Sequence, residues 1–119
     1  MSKIRVLLAD DHSMVRQGLK QILELEEDIT VVAQASNGAE AVELARQHKP
    51  DVILMDINMP GTNGLQAIQE LKQDSYPFKI VVLTIHEDRE YLFKTLQMGA
   101  EGYVLKDAEP SVLVEAIRS

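Results

Sequence analysis

The chain has 119 residues, 45% of them hydrophobic and 26% charged, which is the balance of one globular domain with a real core. There is no cysteine, so disulfide frameworks, thiolate metal sites and thiol nucleophiles are excluded. The formal net charge of -7 disfavours a nucleic-acid backbone as a direct partner of this segment. No apolar run approaches the ~20 residues of a membrane span, and Met1-Ser2-Lys3 leads into Ile4 without a secretory signal pattern. The expected location is cytoplasmic, with no membrane partner.

Short apolar runs alternate with stretches of helical period, the pattern of βα units around a buried parallel sheet. The first predicted strand is Ile4–Ala9 and ends in Asp10-Asp11. Val15, Leu19, Ile22 and Leu23 then form an apolar helical stripe. The second strand, Ile29–Ala35, is diluted by Thr30, Ala33 and Gln34 and reads as an edge strand. Asn37-Gly38 and Lys49-Pro50-Asp51 bracket the next helix, whose stripe is Ala41, Val42 and Ala45. The third strand, Val52–Asp56, is apolar up to its last residue. Gly61 and Gly64 around Thr62-Asn63 read as turn residues, since no glycine-rich nucleotide loop is present. Leu65, Ile68 and Leu71 carry the third helix; Lys79–Thr84 is the fourth strand. Leu92 and Leu96 mark the fourth helix, which Met98-Gly99 closes. Gly102–Lys106 is the fifth strand, and a last helix with Leu113, Ala116 and Ile117 begins near Pro110-Ser111. That helix is expected to be cut by the chain end at Ser119. The whole chain, residues 1–119, reads as one domain.

Open α/β sheets bind ligands at the carboxyl ends of their strands. Those ends carry Asp10, Asp11, Asp56, Thr84 and Lys106. Read singly, each is ordinary: an aspartate at a βα junction is usually a helix cap, a buried threonine structural, a lysine after a strand solvated. Their coincidence is what points to a site. Three carboxylates together repel unless a cation sits among them, and a hard divalent ion such as Mg2+ suits oxygen donors and a phosphate. Asp11 and Asp56 can supply carboxylates and Asn58 its backbone carbonyl. A carboxylate oxygen of Asp56 can then attack phosphorus, with Lys106 and Thr84 on the phosphoryl oxygens. His12, His48 and His86 lack the spacing of metal ligands on one helix, so no transition-metal site is expected. His86 falls near enough to Thr84 to border the phosphoryl site.

Ala9-Asp10-Asp11-His12, Asp56-Ile57-Asn58-Met59-Pro60-Gly61, Leu83-Thr84 and Tyr103-Val104-Leu105-Lys106 resemble, in order and spacing, the receiver domain of bacterial two-component response regulators. The Asp-Asp-His opening and the segment from Gly99 to Asp107 resemble the NarL/FixJ subfamily in particular. That resemblance implies a flavodoxin-like (βα)5 fold, a five-stranded parallel sheet of order 2-1-3-4-5 with helices on both faces. It implies Asp10 and Asp11 as the acidic metal pair with Mg2+, Asp56 as phospho-acceptor, Thr84 as switch hydroxyl and Lys106 as phosphate-binding lysine. Tyr103 falls at the aromatic switch position, although a side chain packed at the sheet's edge reads equally well. The implied partners are a sensor histidine kinase, a second copy of the chain on phosphorylation, and DNA only through a C-terminal helix-turn-helix domain outside these residues. Met14, Leu25 and Val114, apolar residues outside the core stripes, are the candidates for a dimer face on the first and last helices. Asp107 stands where many receivers have a cis-proline, so a trans peptide is expected. Ile85, bulkier than the usual residue after the switch hydroxyl, narrows access to the phosphoryl group. The competing readings are an aspartate-nucleophile phosphatase, which would want an acid where Asn58 stands, a flavin mononucleotide module, and a receiver without a DNA-binding output.

Overall fold

The computed structural model describes residues 3–57, 64–84 and 89–118. Five strands alternate with five helices: β1 (Ile4–Ala9), α1 (Ser13–Glu24), β2 (Ile29–Ala35), α2 (Gly38–His48), β3 (Val52–Asp56), α3 (Gly64–Gln73), β4 (Lys79–Thr84), α4 (Arg89–Gln97), β5 (Gly102–Leu105) and α5 (Pro110–Arg118). The strands are parallel and ordered β2-β1-β3-β4-β5. β2 is therefore at an edge, as its dilute sequence implies, and chain order reverses between β1 and β3. β5 stops at Leu105, one residue short of the expected end.

Alternation along the strands divides the core in two. Leu7, Ala9, Ile53, Met55, Ile80 and Val82 point to one face and pack with Ala41, Val42 and Ala45 of α2 and Ala67, Ile68 and Leu71 of α3. Val6, Leu8, Val52, Leu54, Val81 and Leu83 point to the other and meet Leu23 of α1 and Leu113, Val114 and Ile117 of α5. Each fully buried leucine or isoleucine contributes roughly 1.5–3 kcal/mol, so two such layers dominate stability. Helix ends follow local chemistry. Asn37 Oδ1 accepts from the Glu40 N–H at 2.8 Å, and Glu40 Oε1 accepts in return from the Ser36 N–H at 2.8 Å. Lys49 ends α2 in the left-handed region at φ 49°, with Pro50 next to prevent continuation. Gly99, at φ 114°, closes α4 in a conformation a β-carbon would strain.

Three stripe assignments need correction. Val15, 41% exposed, lies outside the core, as does Leu96. Thr95 takes the inward position on α4 instead, and its hydroxyl can be buried because it donates to the Leu92 carbonyl at 2.6 Å. Val114 is a core residue and not part of an exposed dimer face, whereas Met14 and Leu25 are exposed. The side chain of Leu65 lies outside the described residues.

Candidate functional site: a carboxylate crevice at the strand ends

Strand register assembles the crevice. Ala9 pairs with Met55, which brings Asp10 alongside Asp56; Asp56 pairs with Leu83, just before Thr84; Thr84 pairs with Leu105, just before Lys106. Asp10, Asp56 and Thr84 are buried. Lys106 reaches back across the sheet end, donating from Nζ to Asp56 Oδ2 at 2.8 Å, while its backbone N–H donates to the Thr84 carbonyl at 2.8 Å. No cis peptide occurs among the described residues, so Lys106-Asp107 is trans as expected.

Neither aspartate of the pair caps α1. The N-cap residue is His12, and no side chain caps this helix. Asp10 Oδ1 accepts from the His12 backbone N–H at 2.9 Å, the Asp10 N–H donates to the Ala35 carbonyl at 3.0 Å, and Arg16 Nη1 donates to the Asp10 carbonyl at 2.5 Å. These bonds fix the loop so that both carboxylates face the crevice. Two oxygens there, Asp10 Oδ2 and Asp11 Oδ1, are shut off from solvent without a hydrogen-bond partner among the described residues. A buried carboxylate oxygen without a hydrogen bond is costly, and apart from the His12 ring beside Asp11 Oδ1 these two sit where a cation would satisfy them.

One donor atom from each of Asp10, Asp11, His12 and Asp56 lies within 4.8 Å of the others. Against three carboxylates stand the ammonium of Lys106 and, on the Asp10 carbonyl, the guanidinium of Arg16, so among the described residues the crevice keeps a net negative charge when His12 is neutral, which suits a divalent cation. The donor set thus fits magnesium. Asn58, expected to lend its carbonyl, and the expected features at Gly61, Ile85 and His86 lie outside the described residues. Tyr103 is half exposed, and no part of the carboxylate cluster.

Sequence reasoning missed two participants. His12 was set aside for want of helical spacing, yet its ring stands 3.1 Å from Asp11 Oδ1 and 3.3 Å from Asp10 Oδ1. Arg16 lies one helical turn past His12, a spacing that returns its side chain to the strand end. That i, i+4 relation was the available signal.

Comparison with known proteins places the crevice in context. The family model for the response regulator receiver domain matches residues 6–118. The transcriptional regulatory protein DegU of Brevibacillus brevis is 44% identical over 117 residues, spanning 98% of this chain and 50% of its own. The nitrate/nitrite response regulator NarL of Escherichia coli K12 is 46% identical over 112 residues, spanning 94% of this chain and 52% of its own. This chain therefore spans about half the length of these curated relatives. Among solved structures, the signal receiver domain of the putative response regulator NarL from Mycobacterium tuberculosis superposes with a TM-score of 0.94 at 35% identity, covering 99% of this chain and 95% of that one.

Proposed function

Starting from the fact that the chain belongs to the response regulator receiver family, with NarL- and DegU-type regulators among its relatives, we propose that it is a phosphorylation switch whose acceptor is Asp56. One observation carries this reading: a buried carboxylate, paired with Lys106 at 2.8 Å, faces two further carboxylates that retain unpartnered oxygens. The phosphoryl donor is a histidine kinase. A carboxylate oxygen of Asp56 forms the new O–P bond as the P–N bond of the kinase's phosphohistidine breaks, and the imidazole keeps the electron pair and takes up a proton. Magnesium, when bound by Asp10, Asp11, Asp56 and the Asn58 carbonyl, supplies the charge neutralisation that this transfer needs. Lys106 turns from Asp56 to a phosphoryl oxygen. Thr84, at the adjacent strand end, donates to another.

The switch works only if the phosphoryl group interacts differently with two conformations. Thr84 drawn toward the phosphoryl oxygen leaves space that Tyr103, half exposed on β5, can fill by turning inward. The reshaped surface then favours a twofold dimer. The output is a DNA-binding domain in the half of the regulator that these residues do not span, and the setting is cytoplasmic; among the described residues no helix is long and apolar enough to cross a membrane. The receiver match favours the switch over a flavin module or a phosphatase.

Intact-mass spectrometry after incubation with magnesium and a small acyl phosphate should show one added phosphoryl group, absent from Asp56→Ala. Equal labelling of that variant would overturn the assignment. Light scattering should show a shift from monomer toward dimer with beryllofluoride, and a monomer under both conditions would remove dimerisation from the proposal.

A further inference from the structure

We propose that His12 lends an imidazole nitrogen to the cation site of Asp10, Asp11 and Asp56, so that the crevice holds nitrogen-preferring divalent cations such as cobalt(II) more tightly than its carboxylates alone would. This rests on the cation site proposed above and adds to it a ligand and a selectivity.

The main chain of His12 is held at both ends. Its N–H donates to Asp10 Oδ1 at 2.9 Å and its carbonyl accepts from the Arg16 N–H at 3.0 Å. The side chain is 67% exposed, so it packs into no core and only its contacts with the two carboxylates hold the ring in place. It nevertheless stands over the carboxylates, with Nδ1 3.1 Å from Asp11 Oδ1 and 3.3 Å from Asp10 Oδ1. An N-cap position ordinarily uses its side chain to bond the first turn of the helix, and this one does not.

The distances suit a shared ion. Opposite ligands on an octahedral ion with bonds of about 2.1 Å are about 4.2 Å apart, and the four donor atoms here span at most 4.8 Å. An adjustment of about half an ångström closes the difference, which an exposed ring makes on the nanosecond scale. The Asp10 side chain is 1% exposed and its Oδ2 has no hydrogen-bond partner among the described residues, so the cluster contains a buried oxygen that a bound cation would satisfy. Magnesium prefers oxygen donors and water. Imidazole favours cobalt, nickel and zinc, so a nitrogen at this point raises affinity for those ions selectively.

The test uses a His48→Ala/His86→Ala background, in which His12 is the last of the chain's three histidines. Calorimetric titrations with magnesium chloride and with cobalt chloride are compared for that protein, for it with His12→Ala added, and for it with Asp11→Asn added. Circular dichroism confirms that each is folded. His12→Ala should weaken cobalt binding by about tenfold or more while leaving magnesium binding unchanged, and should alter the visible absorption of bound cobalt. An unchanged cobalt-to-magnesium affinity ratio would overturn the proposal. So would tighter binding of both ions, because the ring would then be a competing counter-charge and not a ligand. Asp11→Asn should weaken both metals; if it weakens neither, the underlying carboxylate site fails, which is a different result from failure of the His12 ligand.

Discussion

The two ends of one sheet treat charge in opposite ways. At the amino ends of the strands, cations and carboxylates are matched. Asp51 accepts from the Arg5 N–H, and Arg5 Nη1 donates to the Lys49 carbonyl. Arg46 grips Asp74 with two nitrogens, Lys72 pairs with Glu101, and Arg118 bridges Glu26 and Asp28. At the carboxyl ends, Asp56 pairs with Lys106, Asp10 and Asp11 meet only the exposed ring of His12, and two buried carboxylate oxygens have no hydrogen bond among the described residues. Both ends belong to the same strands and the same core. The difference teaches that the imbalance is local to the crevice, since among the described residues the amino ends of the same strands set cation against carboxylate.

Removing the counter-charge that pairs with Asp56 should have the largest effect. Lys106→Ala leaves the carboxylate of Asp56 buried without its ammonium, at a cost of roughly 1–3 kcal/mol in urea unfolding, and should also impair phosphoryl transfer. Thr84→Ala should still accept phosphate but respond less, because a hydroxyl gives one hydrogen bond where lysine gives a formal charge. Equal loss of labelling in both would contradict that division.

Removing a negative charge from the crevice should have the opposite sign. Asp11→Asn relieves repulsion among the carboxylates and should stabilise the metal-free protein by about 1 kcal/mol. The same change should abolish the rise in melting temperature that magnesium produces, because stabilisation by a ligand requires binding. A lower melting temperature in chelator would show that the three carboxylates are not in conflict.

Outside the carboxylate cluster, where no charges conflict, substitutions should only cost. Asn37→Ala removes the acceptor of the Glu40 N–H and should lower stability by about 1 kcal/mol without touching phosphorylation. An effect on acyl phosphate labelling would show that this cap is coupled to the crevice.

How much of this was legible follows from what each signal depends on. Strand positions come from continuous β-branched and leucine runs between Gly, Asn and Pro stops, and these do not need tertiary context; four of the five strands match to the residue. The crevice was legible because parallel strands in alternation must gather their carboxyl ends. Helical faces were harder. On α4 a Leu92–Leu96 stripe outranks Thr95 by hydrophobicity, yet a threonine that bonds its own helix backbone loses its polar penalty and can face the sheet. The position of His12 was hidden for a related reason: spacing rules relate side chains on one helix, not a ring at a helix start that turns back over a loop.

The smallest effect concerns the ion pair that ties the end of α5 to the turn before β2. Arg118 donates from Nε and Nη2 to Asp28 at 2.9 and 2.7 Å, and these hydrogen bonds hold the Asp28 carboxyl below its ordinary range. Arg118 itself is raised still further from neutrality by Asp28 and Glu26, so it stays charged throughout. A carboxyl with a depressed folded-state pKa contributes stability above its unfolded pKa and loses it as pH falls through the folded value. Both groups lie at the surface, where solvent and salt screen the pair, so the contribution is small. Arg118→Gln should therefore be slightly less stable than the parent near neutral pH. The two curves should converge as acid protonates Asp28, and added salt should narrow the gap at neutral pH. Chemical unfolding across the acid limb reads this directly. A gap that stayed constant from neutral pH to well below the carboxylate range would mean that Arg118 acts through its packing on α5 and not through its charge.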